Sequence, residues 1–290
     1  MSDPSPFQHH SASVGGVKLH WLEIGSSHTV PPLILLHGLG GSSQMWKRTA
    51  PFLAEERRVL IPDLPGHGLS ERLEAGYQLS WYAQLISRWI HSLGLRKVDV
   101  VGHSFGGGVA QMLLLEESIR IRRLILAASG GLGKDIGFWL RLASIPYVVE
   151  KFGQPFMGLG TRLTLSRLKK VLTREELDEL IAMNEIQGSA RAFSRTVRDV
   201  INWRGQTRNF LDRAHEIKSL PPIAVIWGDC DALIPHSHGE ALRKSVEGVT
   251  FIKLKGCGHF LQQENPQAFA REVRAFIEAE ALPAARLRMA

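Results

Sequence analysis

Residues 98–108, VDVVGHSFGGG, constrain this chain more than any other stretch. Val98, Val100 and Val101 form a short β-branched run, the pattern of a buried strand. The run ends at Gly102-His103-Ser104-Phe105-Gly106, a G-x-S-x-G pattern. Residues 109–117 then read as a helix, with Val109, Met112 and Leu113 at helical spacing. Strand, glycine-flanked serine and helix together read as a nucleophile elbow. The serine would sit on a tight, strained turn, and side chains at Gly102 and Gly106 would crowd the neighbouring strand and helix. Such a turn points the Ser104 hydroxyl outward, with a helix N-terminus behind it to favour developing negative charge. Alone, the pentapeptide also fits a glycine-rich turn holding an ordinary serine, so the rest of the chain decides.

At 290 residues and 44% hydrophobic content, the chain can bury a sizeable core in one or two domains. Aliphatic runs alternate with helical patterns, which predicts an α/β fold. The opening MSDPSPFQHH lacks the charged-then-apolar architecture of a secretory signal. No apolar stretch approaches the roughly 18 residues of a membrane span. Two cysteines, Cys230 and Cys257, are too few for a disulfide framework and suit a reducing, cytoplasmic compartment. Their pairing stays open, since it requires Cα atoms within about 7 Å. The net charge is +7, and residues 130–215 hold 14 Lys/Arg against 9 Asp/Glu, a surplus of five. Those cations sit among leucines (Arg162, Arg167, Lys169 and Lys170 beside Leu163, Leu165, Leu168 and Leu172), an amphipathic face rather than a nucleic-acid motif. A weak attraction for anionic substrates or membrane surfaces is compatible with this charge.

Strand patterns recur at 17–23, 33–36, 59–62, 124–128, 223–227 and 250–254, in addition to the run at 98–101. Residues 26–32 read as loop. The strand at 33–36 runs into His37-Gly38-Leu39-Gly40-Gly41, which matches neither phosphate-binding glycine motif. These glycines suit a backbone that turns the N–H of Leu39 toward a small oxygen anion, with the N–H of Phe105 as second donor. His37 reads as a structural imidazole. Asp63 and His67, in the Gly/Pro-punctuated loop 63–70, read as loop-bracing residues. Residues 79–93 form an amphipathic helix with Trp81, Leu85, Ile86, Trp89, Ile90 and Leu93 inward. Residues 130–215 show no convincing strand and predict a helical insertion, with helices near 175–186 and 191–203. The closing helix spans 267–280, and the tail from Leu282 reads as frayed.

Functional groups in an open α/β sheet gather beyond the carboxyl ends of the strands. Ser104, Asp231 and His259 each follow a strand, in that chain order. A serine hydroxyl is a weak nucleophile at neutral pH. It needs a base within hydrogen-bond reach, and the base needs a carboxylate to hold its tautomer. His259, beside Gly258, suits the base, and Asp231, ahead of an apolar run to Pro235, suits the acid. Asp229 and, more distantly, Asp135 are rival acids.

The stretches HGLGG (37–41), DLPGHGLS (63–70), GHSFGG (102–107), WGDCDALIP (227–235) and GCGHFLQQENP (256–266) resemble the α/β-hydrolase fold superfamily. The branch in question includes small esterases, lactonases, C–C bond hydrolases and the hydrolase-like domain of acetoin-cleaving systems. The resemblance covers about residues 17–280. It implies a mostly parallel, eight-stranded, doubly wound sheet, with residues 1–129 and 216–290 as the core domain and 130–215 as a helical cap. It places Ser104, Asp231 and His259 as a catalytic triad, and Leu39 and Phe105 as oxyanion-hole amides. It implies no metal or organic cofactor. Haloalkane dehalogenases and epoxide hydrolases of this type carry Asp at the nucleophile, where this chain has Ser104. Many epoxide hydrolases have proline where this chain has Gly40. Ring-cleavage C–C hydrolases often show Asn before the serine and Trp after the histidine, where this chain has His103 and Phe260. Cofactor-free haloperoxidases and perhydrolases usually lack so large a cap. The expectation is a monomeric or homodimeric serine esterase acting on small to medium, mostly apolar acyl groups, with no nucleic-acid partner and no integral membrane association. C–C hydrolysis, lactone hydrolysis, acyl transfer and a non-catalytic binding role stay as alternatives.

Overall fold

The computed structural model describes residues 5–26, 29–74, 76–145, 147–217 and 219–288. Positions 27 and 28 of the 26–32 loop, and the first four residues of the opening stretch, lie outside these. Eight strands form one sheet: β1 (Gln8–Val14), β2 (Val17–Ile24), β3 (Leu33–Leu36), β4 (Val59–Pro62), β5 (Val98–His103), β6 (Ile121–Ala127), β7 (Ile223–Gly228) and β8 (Thr250–Leu254). Their order is β1-β2-β4-β3-β5-β6-β7-β8. The strands β3 to β8 are mutually parallel, while β2 runs antiparallel to both β1 and β4. Strands covered on both faces need continuous apolar runs. Accordingly Leu33–Leu36 and the Val98–Val101 run are fully buried.

The α-helices of five residues or more are α1 (Leu79–Ser92), α2 (Phe105–Glu117), α3 (Phe138–Ala143), α4 (Val148–Phe152), α5 (Met157–Thr164), α6 (Arg174–Glu185), α7 (Ser189–Val200), α8 (Ser237–Ser245) and α9 (Pro266–Glu278). The helix α1 buries Leu85, Ile86, Trp89 and Ile90 as its spacing predicts, while in its first turn Tyr82 is fully buried and Trp81 only partly so. Thr173 and Glu176 close a reciprocal capping box at the start of α6, the T-x-x-E signature made physical. Asn265 caps α9 through the Ala268 amide, with Pro266 at the first helical position.

Four features depart from the sequence reading. The edge strand β1 was not expected, because QHHSASV shows water nearly all of its residues and has no apolar alternation to betray it. The helix α2 begins at Phe105 rather than Val109; its first turn is hidden behind three glycines. Residues 130–215 are not strand-free, since Ile201–Asn202 and Gly205–Gln206 pair in a small antiparallel ladder. The tail is not wholly frayed, because Arg286–Leu287 pairs with Val246–Glu247.

Candidate active site

The strand order puts the carboxyl ends of β3, β5, β7 and β8 along one rim. Ser104 follows β5 directly and adopts φ 54° and ψ −117°, a strained conformation for a side-chain-bearing residue. The glycines around it are forced by close approach. A Cβ on Gly102 would lie 2.5 Å from the Gly106 carbonyl oxygen, and one on Gly106 would lie 2.5 Å from the Leu36 and His37 oxygens. A Cβ on Gly107 would lie 2.0 Å from Ser129 Oγ. So the glycines let α2 lie against β3 and β5 and hold the Ser104 turn in place.

Ser104 Oγ lies 3.0 Å from His259 Nε2, and His259 Nδ1 lies 2.9 Å from Asp231 Oδ2. Asp231 Oδ1 accepts the Leu233 and Ile234 amides at 2.8 and 3.0 Å, so this carboxylate is held at both oxygens. Burial alone would push the Asp231 carboxyl up. The His259 hydrogen bond and charge, with the two amides, outweigh that and hold it below the usual carboxylate range. An imidazole oriented this way presents Nε2 to the serine. The rival acids are engaged elsewhere: Asp229 accepts the Gly256 amide at 2.7 Å, and Asp135 faces His238 at 3.9 Å.

The loop carrying His259 is braced by three hydrogen bonds. Glu264 accepts the amides on either side of His259, Gly258 at 2.7 Å and Phe260 at 3.1 Å. His103 Nε2 donates to the His259 carbonyl at 2.8 Å. Burial, then the neighbouring His259, pushes the His103 imidazole down to about 3, so it is neutral. The sequence reading assigned no role to His103 or Glu264, although both lie inside quoted motifs; only the folded geometry shows what they hold.

The loop after β3 lies against Ser104. A Cβ on Gly38 would sit 3.1 Å from Ser104 Cβ. His37 Nδ1 donates to the Gly38 carbonyl at 2.8 Å, and Nε2 accepts the Leu64 amide at 2.9 Å, so His37 ties down the loop as expected. Asp63 likewise braces, binding His20 at 2.7 Å and the Ser43 and Leu69 amides at 2.6 and 2.9 Å. His67 Nδ1 donates to the Pro65 carbonyl at 3.1 Å. The amides of Leu39 and Phe105 have no hydrogen-bond partner among the described residues, and Phe105 opens α2, where an amide has no intrahelical acceptor.

Helices α6 and α7 lie over this rim. Asn184 Nδ2 donates to the Gly40 carbonyl at 2.7 Å, and Phe193 packs beside Gly40. Met45 joins Leu165, Leu168, Leu172, Leu177, Leu180 and Ile181 in an apolar cluster, with Phe260 against it. No sequence signal marked Asn184. Cys230 and Cys257 are free thiols, although the Cys230 amide donates to the Cys257 carbonyl at 2.9 Å. Burial, then the Glu264 and Asp229 charges, raises the Cys257 thiol to about 11, which makes it unreactive.

Residues 31–266 match the family model for the alpha/beta hydrolase fold. The chain belongs to the α/β-hydrolase fold family. Two relatives place it within a broad part of that family. One is the dihydrolipoyllysine-residue acetyltransferase component of the acetoin cleaving system of Pseudomonas putida. It is 32% identical over 275 residues, covering 92% of this chain and 68% of the relative. The other is a soluble epoxide hydrolase of a Corynebacterium species, 30% identical over 279 residues, covering 89% of this chain and 93% of the relative. Among solved structures, Cfl2 of Burkholderia cenocepacia superposes with a TM-score of 0.80 at 24% identity, covering 94% of this chain and 97% of that one. As an α/β-hydrolase fold protein, the chain carries a serine where the sequence motif centres its strained turn.

Proposed function

We propose that this α/β-hydrolase is a serine esterase that cleaves carboxylic esters of small to medium apolar acyl groups through an acyl-enzyme. The reading is carried by one observation, the continuous hydrogen-bond chain from Asp231 through His259 to Ser104. His259 takes the hydroxyl proton as Ser104 Oγ attacks the ester carbonyl. The Leu39 and Phe105 amides receive the tetrahedral oxyanion. His259 then protonates the departing alcohol, and water repeats the sequence on the acyl-enzyme. Asp231 stays ionised throughout and stabilises the imidazolium that forms. The apolar cluster joining Met45 and Phe260 to the leucines of 165–181 supports a preference for apolar acyl chains. In this reading residues 130–215 act as a cap domain over a core formed by 1–129 and 216–290.

A second reading is acyl transfer to an acceptor other than water, favoured by the likeness to the acetyltransferase component of Pseudomonas putida. It uses the same acyl-enzyme. Epoxide opening is disfavoured by Ser104, because an ester to serine is reached from a carbonyl and not from an epoxide. Ser104→Ala tests the mechanism with p-nitrophenyl butyrate. The expected result is a loss of about 10³-fold or more in kcat with the melting temperature retained. Undiminished turnover by that variant, or a wild-type protein that resists a fluorophosphonate probe, removes the proposal. A panel of esters, lactones and thioesters, with and without alcohol acceptors, separates the two readings.

A further inference from the structure

The outer helices of residues 138–164 present an apolar surface that the described part of the chain leaves uncovered. Helices α3 and α4 and the short turn of helix at Gln154–Phe156 contain no buried residue, and α5 contains one, Gly158. Gly153, Phe156 and Met157 keep right-handed helical dihedrals, so the chain stays helical on both sides of the tighter 3-10 turn at Gln154–Phe156. Phe152, Phe156, Leu159 and Leu163, spaced by four, three and four residues, follow the spacing of one helical stripe. They are 68%, 64%, 56% and 65% exposed, and Trp139 beyond them is 77% exposed. Helices this short do not persist in water by propensity, and a monomer rarely shows water so continuous an apolar face.

The charge of the same segment identifies the partner. Residues 138–173 carry six Lys/Arg and one Asp/Glu, whereas the rest of 130–215 balances at eight of each. The single acid, Glu150, is already paired with Arg195 and Arg198 at 2.6 and 3.2 Å. Lys151 and Arg162 sit on one flank of the stripe by helical phase; Lys151 lies over the Tyr147 ring, and Arg162, half exposed, pairs at 3.4 Å with the equally exposed Asp178 of α6, a surface pair weak enough for headgroups to replace. Aromatic and leucine side chains on one face with cations along its edge form the pattern of a helix lying in a bilayer interface. The rings and leucines enter the acyl boundary while the cations reach anionic headgroups. A second copy fits poorly, because a two-fold contact would set the same basic surplus against itself.

We propose that this face docks reversibly on a phospholipid surface bearing anionic headgroups. The docking is peripheral, as no helix among the described residues is long and apolar enough to cross a membrane. It goes beyond the hydrolytic reading and does not depend on it. Co-sedimentation with vesicles of phosphatidylcholine alone, and of phosphatidylcholine and phosphatidylglycerol in equal parts, tests it. The wild-type protein is expected to bind the anionic vesicles, with affinity falling as salt is raised. Combining Phe152→Ser, Phe156→Ser, Leu159→Ser and Leu163→Ser should weaken binding about a hundredfold or more, with the melting temperature unchanged. Lys151→Glu with Arg162→Glu should weaken it about tenfold or more. Failure of the wild-type protein to bind anionic vesicles overturns the proposal, as does binding that the serine variant retains. So does a concentration-dependent dimer that the serine substitutions abolish in the absence of vesicle binding, which would assign the face to a second copy.

Discussion

Three buried imidazoles, His37, His67 and His103, lie around the Ser104 turn, and burial pushes all three below their ordinary 6.5. For His67 and His103 the fall is to about 3. Each is fixed by a backbone carbonyl rather than by a carboxylate. Released on unfolding, these rings take up protons near pH 6.5; folded, His67 and His103 do so only near pH 3. The unfolded state thus binds more protons in that window, and stability must fall as pH is lowered through it. Each ring contributes up to about 1.4 kcal/mol per pH unit. The upper part of the window, about pH 6.5 to 5, shows the effect best, because carboxylates such as Asp63 and Asp231 take up protons lower still, while burial lowers His9 and His238 in the same sense and raises Asp99 and Glu116 in the opposing one. Melting temperatures recorded across that range should fall with pH, and His67→Asn should flatten the slope. A melting temperature independent of pH there would show that these rings are charged or exposed in the folded protein.

Among the elements, legibility followed burial. The strands β3 to β7 announced themselves as β-branched or leucine runs because both faces are covered; β8, with only Leu254 buried, was legible from its β-branched and aromatic residues instead. The strand β1 did not, because only Val14 among its residues is buried. Ser104, Asp231 and His259 were locatable because each follows a strand whose end lies on one rim. His103, Glu264 and Asn184 were not, because their partners are backbone groups distant in sequence or loops of unmarked shape. The glycines of the elbow show how one residue type carries two meanings. A Cβ on Gly106 meets β3 backbone at 2.5 Å, whereas a Cβ on Gly160 in α5 meets nothing within 4 Å. Gly106→Ala is therefore expected to cost more than about 3 kcal/mol, lowering the melting temperature by roughly 5–10 °C. Gly160→Ala should instead stabilise by a few tenths to about 1 kcal/mol. Paired melts decide it; equal effects would mean that the close approach to β3 is not real.

Across the whole molecule, one strand separates stability from chemistry. Ser104 follows the carboxyl end of β5, while Asp99 sits near its other end, roughly 16 Å away at the rise of a strand. Asp99 is fully buried and accepts Arg57 Nη1 at 3.1 Å and Arg122 Nε at 2.9 Å. Arg122 also donates to the Ile277 carbonyl at 2.9 Å, so the cluster ties the sheet to α9. Arg57 is buried as well, with its side chain only 5% exposed. Removing the carboxylate would strand that guanidinium in the interior with Glu278, at 3.9 Å and partly exposed, as its remaining acid. Asp99→Ala should then cost about 3–5 kcal/mol in chemical denaturation. Because the proposed catalytic rim lies at the opposite end of β5 and shares no hydrogen-bond partner with Asp99, the activity of the folded fraction at low temperature should equal that of the wild-type protein. A variant that melts normally but turns over slowly would mean that the two ends of β5 are coupled, and that the rim is not held by its local braces alone.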